Sequence, residues 1–233
     1  MPLKLGETVV ELLAQRAVWV AHERTLLVAD LHWGKSETLR RAGAPIPSGV
    51  LAAQFDALDT LVHTHDADRL IVLGDLLHAP VGITDELVER AAAWRRSWGG
   101  SFELVEGNHD RRVERVADTM GVTLLGAAAA LGEGPAGLDL VHDPADASPG
   151  RPTLAGHIHP AMTLRGGGDR VKLPCFWLST QTLVLPAFTP FAAGAPIRPA
   201  PGDRVVACAQ DRLVEAPVVR SRAQRSKPRS PAR

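Results

Sequence analysis

The sequence predicts an α/β fold of four layers, α-β-β-α, with two mixed sheets packed face to face and flanked by helices. Three observations support it. Through the first half, short apolar runs alternate with stretches of three- and four-residue apolar periodicity, the signature of βαβ units around a partly parallel sheet. In the second half the helical periodicity disappears, and short apolar runs are separated by Gly- and Pro-rich turns, which predicts a second, mixed or antiparallel sheet. Finally, five small clusters of Asp, Asn and His follow apolar runs, where the loops of an α/β sheet carry ligand chemistry.

The elements follow in chain order. Thr8–Leu13, Ala17–Val20 and residues 25–29 alternate apolar and polar, predicting strands of a meander that delivers Asp30. Gly34 and Lys35 open a helical pattern that ends near Gly43, where Pro45 and Pro47 break it. Ser48 is the expected N-cap of a second helix through about His63, with Leu51, Phe55, Leu58 and Val62 on one face. Arg69–Leu73 is a short buried strand running into Gly74-Asp75. Thr84 has the position of an N-cap, and the helix after it carries Leu87, Ala91 and Trp94 on one face. A strand over 102–105 leads to Gly107-Asn108-His109-Asp110, followed by a helix over about 111–120 and a strand over 122–125. The later strands are expected at 138–141, 153–155, 162–164, 175–178, 183–185 and 205–207.

At 233 residues the chain suits one domain with a substantial core. Hydrophobic content of 45% and charged content of 22% are those of an ordinary globular protein, and no apolar run is long enough to span a membrane. The N-terminus lacks the basic start and apolar core of a signal peptide, so the cytoplasm is the expected compartment. Cys175 and Cys208 lack CxxC spacing and are expected to be reduced, packed in strands. Residues 1–216 are read as the domain and 217–233 as a disordered tail rich in Pro, Ser and Arg. Six of the 26 basic residues and none of the 26 acidic ones lie in that tail, which leaves the body at −6 beneath a formal net charge of zero. The tail has two readings, a solubilising end or a salt-sensitive contact to nucleic-acid phosphates.

The clusters are Asp30-x-His32, Gly74-Asp75, Gly107-Asn108-His109-Asp110, His142 and Gly156-His157-x-His159. In an extended strand, residues two apart project to one side, so Asp30 with His32 could grip one ion, while His157 with His159 could do the same or be split between two neighbouring ions. Asp75 is placed to bridge two ions, and Asn108 adds a neutral oxygen. Such ligands without cysteine suit manganese, iron or zinc. Two such ions activate water for in-line attack on phosphorus. His109, beside Asn108, is the candidate proton donor to the leaving oxygen. Taken singly, an Asp-x-His pair or a lone His is usually a cap or a packed ring. Five of the nine histidines lie in these ordered clusters, and that co-occurrence favours a site. Asp110 and Arg111 are divided between ligand-supporting or substrate-phosphate roles and ordinary helix-start charges. Trp33, inside the first cluster, is a candidate substrate contact, against a core position.

These motifs resemble those of the calcineurin-like metallophosphoesterase superfamily over about residues 25–160. The resemblance implies an α-β-β-α metallophosphoesterase sandwich. It implies a first metal on Asp30, His32, Asp75 and His159, a second on Asp75, Asn108, His142 and His157, and His109 as catalytic histidine. More narrowly, Leu27-Val28-Ala29-Asp30-Leu31-His32-Trp33-Gly34-Lys35, Leu73-Gly74-Asp75-Leu76-Leu77-His78 and Leu183-Val184-Leu185-Pro186-Ala187-Phe188 are similar to the bacterial ligase-associated DNA-damage-response phosphoesterases. That family is described as endonucleases encoded with a DNA ligase and a helicase. Many superfamily members have Gly-Asp-x-x-Asp-Arg, but this chain has His78-Ala79 at the last two positions. The change weighs against a protein phosphatase and removes the usual carboxylate orienter of His109. The resulting Gly-Asp-x-x-His is similar to double-strand-break repair nucleases, which implies a catalytic or substrate role for His78. The expectation is therefore a two-metal phosphodiesterase, manganese first among its ions, acting on nucleic acid, DNA in the first instance. A small-molecule or nucleotide phosphatase and a non-catalytic partner-binding scaffold are the alternatives. Oligomeric state is open.

Overall fold

The computed structural model describes residues 1–166 and 169–218, so the basic tail expected at 217–233 lies outside the described residues from 219 onward. Strands β1 (Pro2–Leu5), β2 (Thr8–Leu13), β3 (Ala17–Val20) and β4 (Thr25–Val28) form an antiparallel meander. After it come α1 (Lys35–Arg41), α2 (Val50–Thr64), β5 (Arg69–Leu73), α3 (Asp85–Trp98), β6 (Ser101–Val105), α4 (Glu114–Met120) and β7 (Thr123–Leu124). Strands β4 to β7 run parallel, completing a seven-stranded sheet in sequence order. The helices between them are the crossovers that parallel strands require.

The second sheet contains β8 (Ala128–Leu131), β9 (Leu138–Val141), β10 (Thr153–Ala155), β11 (Pro160–Gly166), β12 (Asp169–Ser179), β13 (Thr182–Val184), β14 (Ala195–Pro196), β15 (Arg204–Ala209) and β16 (Arg212–Ala216). Its main path is β14-β11-β12-β13-β10-β9-β8, with β15 pairing β12, and β16 pairing β15. Strands β9, β10 and β13 run parallel at its centre, and the rest is mostly antiparallel. The architecture is thus two mixed sheets with four helices, as expected.

Period-two alternation explains why β4 and β5 read as unbroken apolar runs. Leu26, Val28, Leu70 and Val72 face the helices with Phe55, Leu58, Trp94 and Phe102, while Leu27, Ile71 and Leu73 face the other sheet with Leu140, Leu154 and Phe176. Each such side chain contributes about 1.5–3 kcal/mol by leaving water. Both cysteines are free and buried, on opposite faces of the second sheet: Cys208 faces the core between the sheets, and Cys175 a smaller apolar cluster with Val205 and Ala207. Burial pushes both thiols up to about 12, so they are inert as nucleophiles. Among the described residues, no helix is long and apolar enough to cross a membrane.

Two local expectations need correction and one holds. Ser48 does not cap α2, because Gly49 takes the N-cap position at φ 83° and no side chain caps there. Thr84 does cap α3, accepting the Leu87 amide at 3.2 Å. The helix expected from residue 111 starts only at Glu114, because Arg112 adopts φ 74° and residues 111–113 form a turn around Asp110.

Candidate metal centre and active site

Five loops meet at the C-terminal ends of strands drawn from both sheets. Three follow β4, β5 and β6 of the first sheet and bring Asp30 with His32, Asp75 with His78, and Asn108 with His109. Two follow β9 and β10 of the second and bring His142 and His157 with His159. Backbone bonds hold the first two loops side by side: the Asp30 amide donates to the Gly74 carbonyl at 3.1 Å and the His32 amide to the Asp75 carbonyl at 2.8 Å. Asp110, buried, locks the next pair by accepting the amides of Asp75 and Gly107, each at 2.8 Å, and of Leu77 at 3.0 Å. Burial pushes its carboxyl up to about 6, against the pull of those amides. Asp30 ties the sheets together by accepting the His157 amide at 3.1–3.2 Å.

The expected extended Asp-x-His geometry is not what aligns these ligands. Asp30, His32, Asp75, His157 and His159 all have left-handed backbones, with φ of 56°, 47°, 53°, 69° and 51°. Residues with a Cβ avoid that region unless their surroundings impose it, and here the strain coincides with the candidate site. Two glycines make room for the turns. A Cβ on Gly74 would collide with the His142 ring, and one on Gly107 with the Asp75 backbone.

The donor atoms form two adjoining groups. Asp30, His32, Asp75 and His159 place their ligand atoms within 4.8 Å of one another. His32 Nε2 lies 3.2 Å from His159 Nε2 and 3.7 Å from Asp75 Oδ2, and His159 Nε2 lies 3.2 Å from Asp30 Oδ1. Burial, then the nearby Lys35 ammonium and neighbouring imidazoles, push His32 down to about 2, so its ring is neutral as a metal ligand must be. In the second group, His142 donates from Nδ1 to the Leu73 carbonyl, so that in the neutral ring Nε2 carries the lone pair. That lone pair lies 3.1 Å from Asn108 Oδ1, 3.0 Å from His157 Nδ1 and 3.5 Å from Asp75 Oδ1. Oxygen and nitrogen lone pairs crowded in this way, with two buried carboxylates among them, fit divalent cations of the borderline class.

His109 stands at the rim with a side chain 40% exposed. Its Nδ1 donates to the His78 carbonyl at 2.9 Å, so a backbone oxygen does the orienting that the missing carboxylate does elsewhere. Its Nε2 is then turned to the site, 4.0 Å from Asp75 Oδ2. The His78 and His109 rings stack with centroids 5.5 Å apart, and both meet His32 edge-on. Burial, with the nearby Lys35 and His109, lowers the His78 pKa.

Trp33 is a correction: it is fully buried, packed against Phe55 and Phe102 in the helix-side core, and cannot meet substrate. Arg111 is exposed on the turn after Asp110, with no hydrogen bond or ion pair to its side chain among the described residues. Lys35 and Asp143 were not singled out as site residues. Lys35 is half-buried beside the carboxylates, and Asp143 Oδ2 lies 3.6 Å from His157 Nε2. The one available signal was proximity, since Asp143 follows His142 directly and Lys35 lies three residues after His32.

The nuclease MPE of Pseudomonas putida is similar to this chain at 31% identity and TM-score 0.79, over 93% of this chain and 99% of that one. The chain belongs to the calcineurin-like metallophosphoesterase superfamily. Within that superfamily it is a hydrolase of phosphoester bonds. The Escherichia coli phosphoesterase YfcE matches at 17% identity and TM-score 0.44, over 81% of this chain and 90% of that one. A zinc complex of Vps29 from Entamoeba histolytica matches at 14% and 0.36, over 82% and 96%. Likeness at those levels carries no functional weight. No family model and no curated protein matches the chain.

Proposed function

We propose that this metallophosphoesterase is a dinuclear phosphodiesterase that cuts nucleic acid, as an endonuclease of DNA repair working with a DNA ligase and a helicase in the cytoplasm. The observation that carries the reading is the convergence of seven donor residues in two groups that share Asp75, with the oriented His109 imidazole at their open rim. The similarity to a nuclease over nearly the whole of both chains supports the substrate class.

Asp30, His32, Asp75 and His159 would hold one ion, and Asp75, Asn108, His142 and His157 the other, manganese first among the candidates. When bound, the ions supply Lewis-acid polarisation of the phosphoryl group and activate the attacking water. The chain's own residues do the rest. Asp75 sets the separation of the two groups through its two oxygens, while its Oδ1 also accepts the His109 amide at 2.9 Å and so fixes the catalytic loop. His109, protonated at Nε2 and anchored through Nδ1, hands that proton to the leaving oxygen. His78 stacks on it and limits its swing, and Arg111, exposed on the turn after Asp110, would meet a substrate phosphate.

The test compares wild type and His109→Ala, loaded with manganese, on bis-p-nitrophenyl phosphate, p-nitrophenyl phosphate and circular single-stranded DNA. Diester cleavage and opening of the circle, both lost in the variant, are expected. Turnover of the monoester alone would reassign the chain as a small-molecule phosphatase, and no turnover with metal bound would make it a binding scaffold.

A further inference from the structure

A cavity of about 220 Å³ opens against His159, outside the two donor groups. Its walls are mostly small and apolar, but its charged lining is of one sign: Arg16 and Lys172 line it with Pro190 and Gly194, and no acidic residue does. Arg16 sits at the tip of the β2–β3 turn with φ 64°, and reaches across the edge of both sheets to donate from Nη1 to the carbonyls of Ala187 and Thr189 at 3.3 and 3.2 Å. Lys172, on β12, donates to the Gly194 carbonyl at 2.7 Å.

What distinguishes these cations is their partners. Arg24, Arg69, Arg151 and Arg204 each pair with a carboxylate at 2.6–2.9 Å. Among the described residues, neither Arg16 nor Lys172 has a carboxylate within ion-pair distance, although Arg16 is half-buried. A half-buried guanidinium held only by carbonyl dipoles keeps its full charge and has donors to spare. Arg170 extends the series, because it lies two residues from Lys172 on the same strand and therefore on the same face. Positive charges thus run from the candidate metal ligand outward along the β11–β12 hairpin.

We propose that Arg16 and Lys172 form a subsite for a backbone phosphate next to the scissile one, so that the enzyme recognises a single nucleic-acid strand rather than an isolated diester. The inference rests on the nucleic-acid reading above and deepens it. The segment carrying Pro190 and Gly194 begins with Thr189, whose hydroxyl accepts from Gln54, and Gln54 also donates to the Leu31 carbonyl. One wall of the subsite is therefore tied through Gln54 to the loop that holds Asp30 and His32.

The test uses metal-loaded full chain, with Lys172→Gln and Arg16→Gln, on a 12-residue oligodeoxythymidylate and on bis-p-nitrophenyl phosphate, which has one phosphate. Because half-buried Arg16 holds two carbonyls of its loop and exposed Lys172 only one, Lys172→Gln is the milder variant. The expected result is a fall of about tenfold in the ratio of kcat/KM for the oligonucleotide to that for the small diester. The salt slope of oligonucleotide binding should also become shallower by about 0.7 for each cation removed. Equal losses on the two substrates, or none, with an unchanged slope would overturn the subsite alone. Wild type that hydrolyses the small diester but neither binds nor cuts the oligonucleotide would overturn the nucleic-acid reading and the subsite with it.

Discussion

The two donor groups share Asp75 but differ in how the fold treats them. Asp30, His32 and Asp75 are buried at 0, 3 and 2%, wedged between the sheets and locked by backbone bonds. In the other group His142 is buried, but Asn108 and His157 are exposed, and His157 leans on the half-buried Asp143. Carboxylates buried beside neutral imidazoles have a large unmet electrostatic demand, whereas exposed ligands are already served by water. On the dinuclear reading proposed above, the inner group would hold its ion permanently, and the outer group would exchange its ion and face substrate.

The largest effect should come from the residue common to both groups. Asp75→Ala removes a carboxylate from each and frees the amide of His109. Activity should fall by more than the roughly 10²- to 10³-fold that follows loss of one stabilising donor, and metal analysis should find both positions depleted. Two tightly bound ions in that variant would contradict the sharing of Asp75. His109→Ala comes next. A loss of roughly 10²- to 10⁴-fold is expected with metal content intact, because the ring is held from His78 and not by the donor groups. Full activity would remove His109 from the proton transfer.

The difference between the groups is tested most directly by paired truncations. His157→Ala should weaken the outer position in a way that added metal restores by mass action. His32→Ala should not recover, because it leaves a buried carboxylate pair without its neutral partner. Equal rescue of the two would erase the distinction.

The same contrast marks what the sequence made legible. The strand ends were plain, because β4, β5, β6, β9 and β10 are short apolar runs that stop at chemistry-bearing residues. Candidate donors followed from those ends. Their geometry did not: the left-handed turns at Asp30, His32, Asp75, His157 and His159 arise from contacts between loops far apart in the chain, and no local pattern encodes them. The same limit explains Trp33, whose position beside a ligand suggested substrate while its ring points back into the helix-side core. It also explains Arg16, in an unremarkable turn whose partners lie 171 and 173 residues away. Strands β1, β8, β14 and β16 were missed because each is two to five residues long and takes its place from pairing rather than from periodicity.

The smallest expected effect concerns stability, and it separates the groups without mutation. During slow titration with a chelator, the outer position should empty first, because its ligands are exposed and water competes for the ion. Activity would then vanish while the inner ion still joins Asp30 of the first sheet's edge to His159 of the second's. An ion held at 100 times its dissociation constant stabilises the fold by about 2.7 kcal/mol, and each kcal/mol moves the Tm of a chain this size by about 2–4 °C. Loss of activity should therefore precede most of the fall in Tm, with the larger fall following release of the inner ion. A single step, in which activity and Tm drop together, would mean that the two positions empty as one unit and that burial does not set their order.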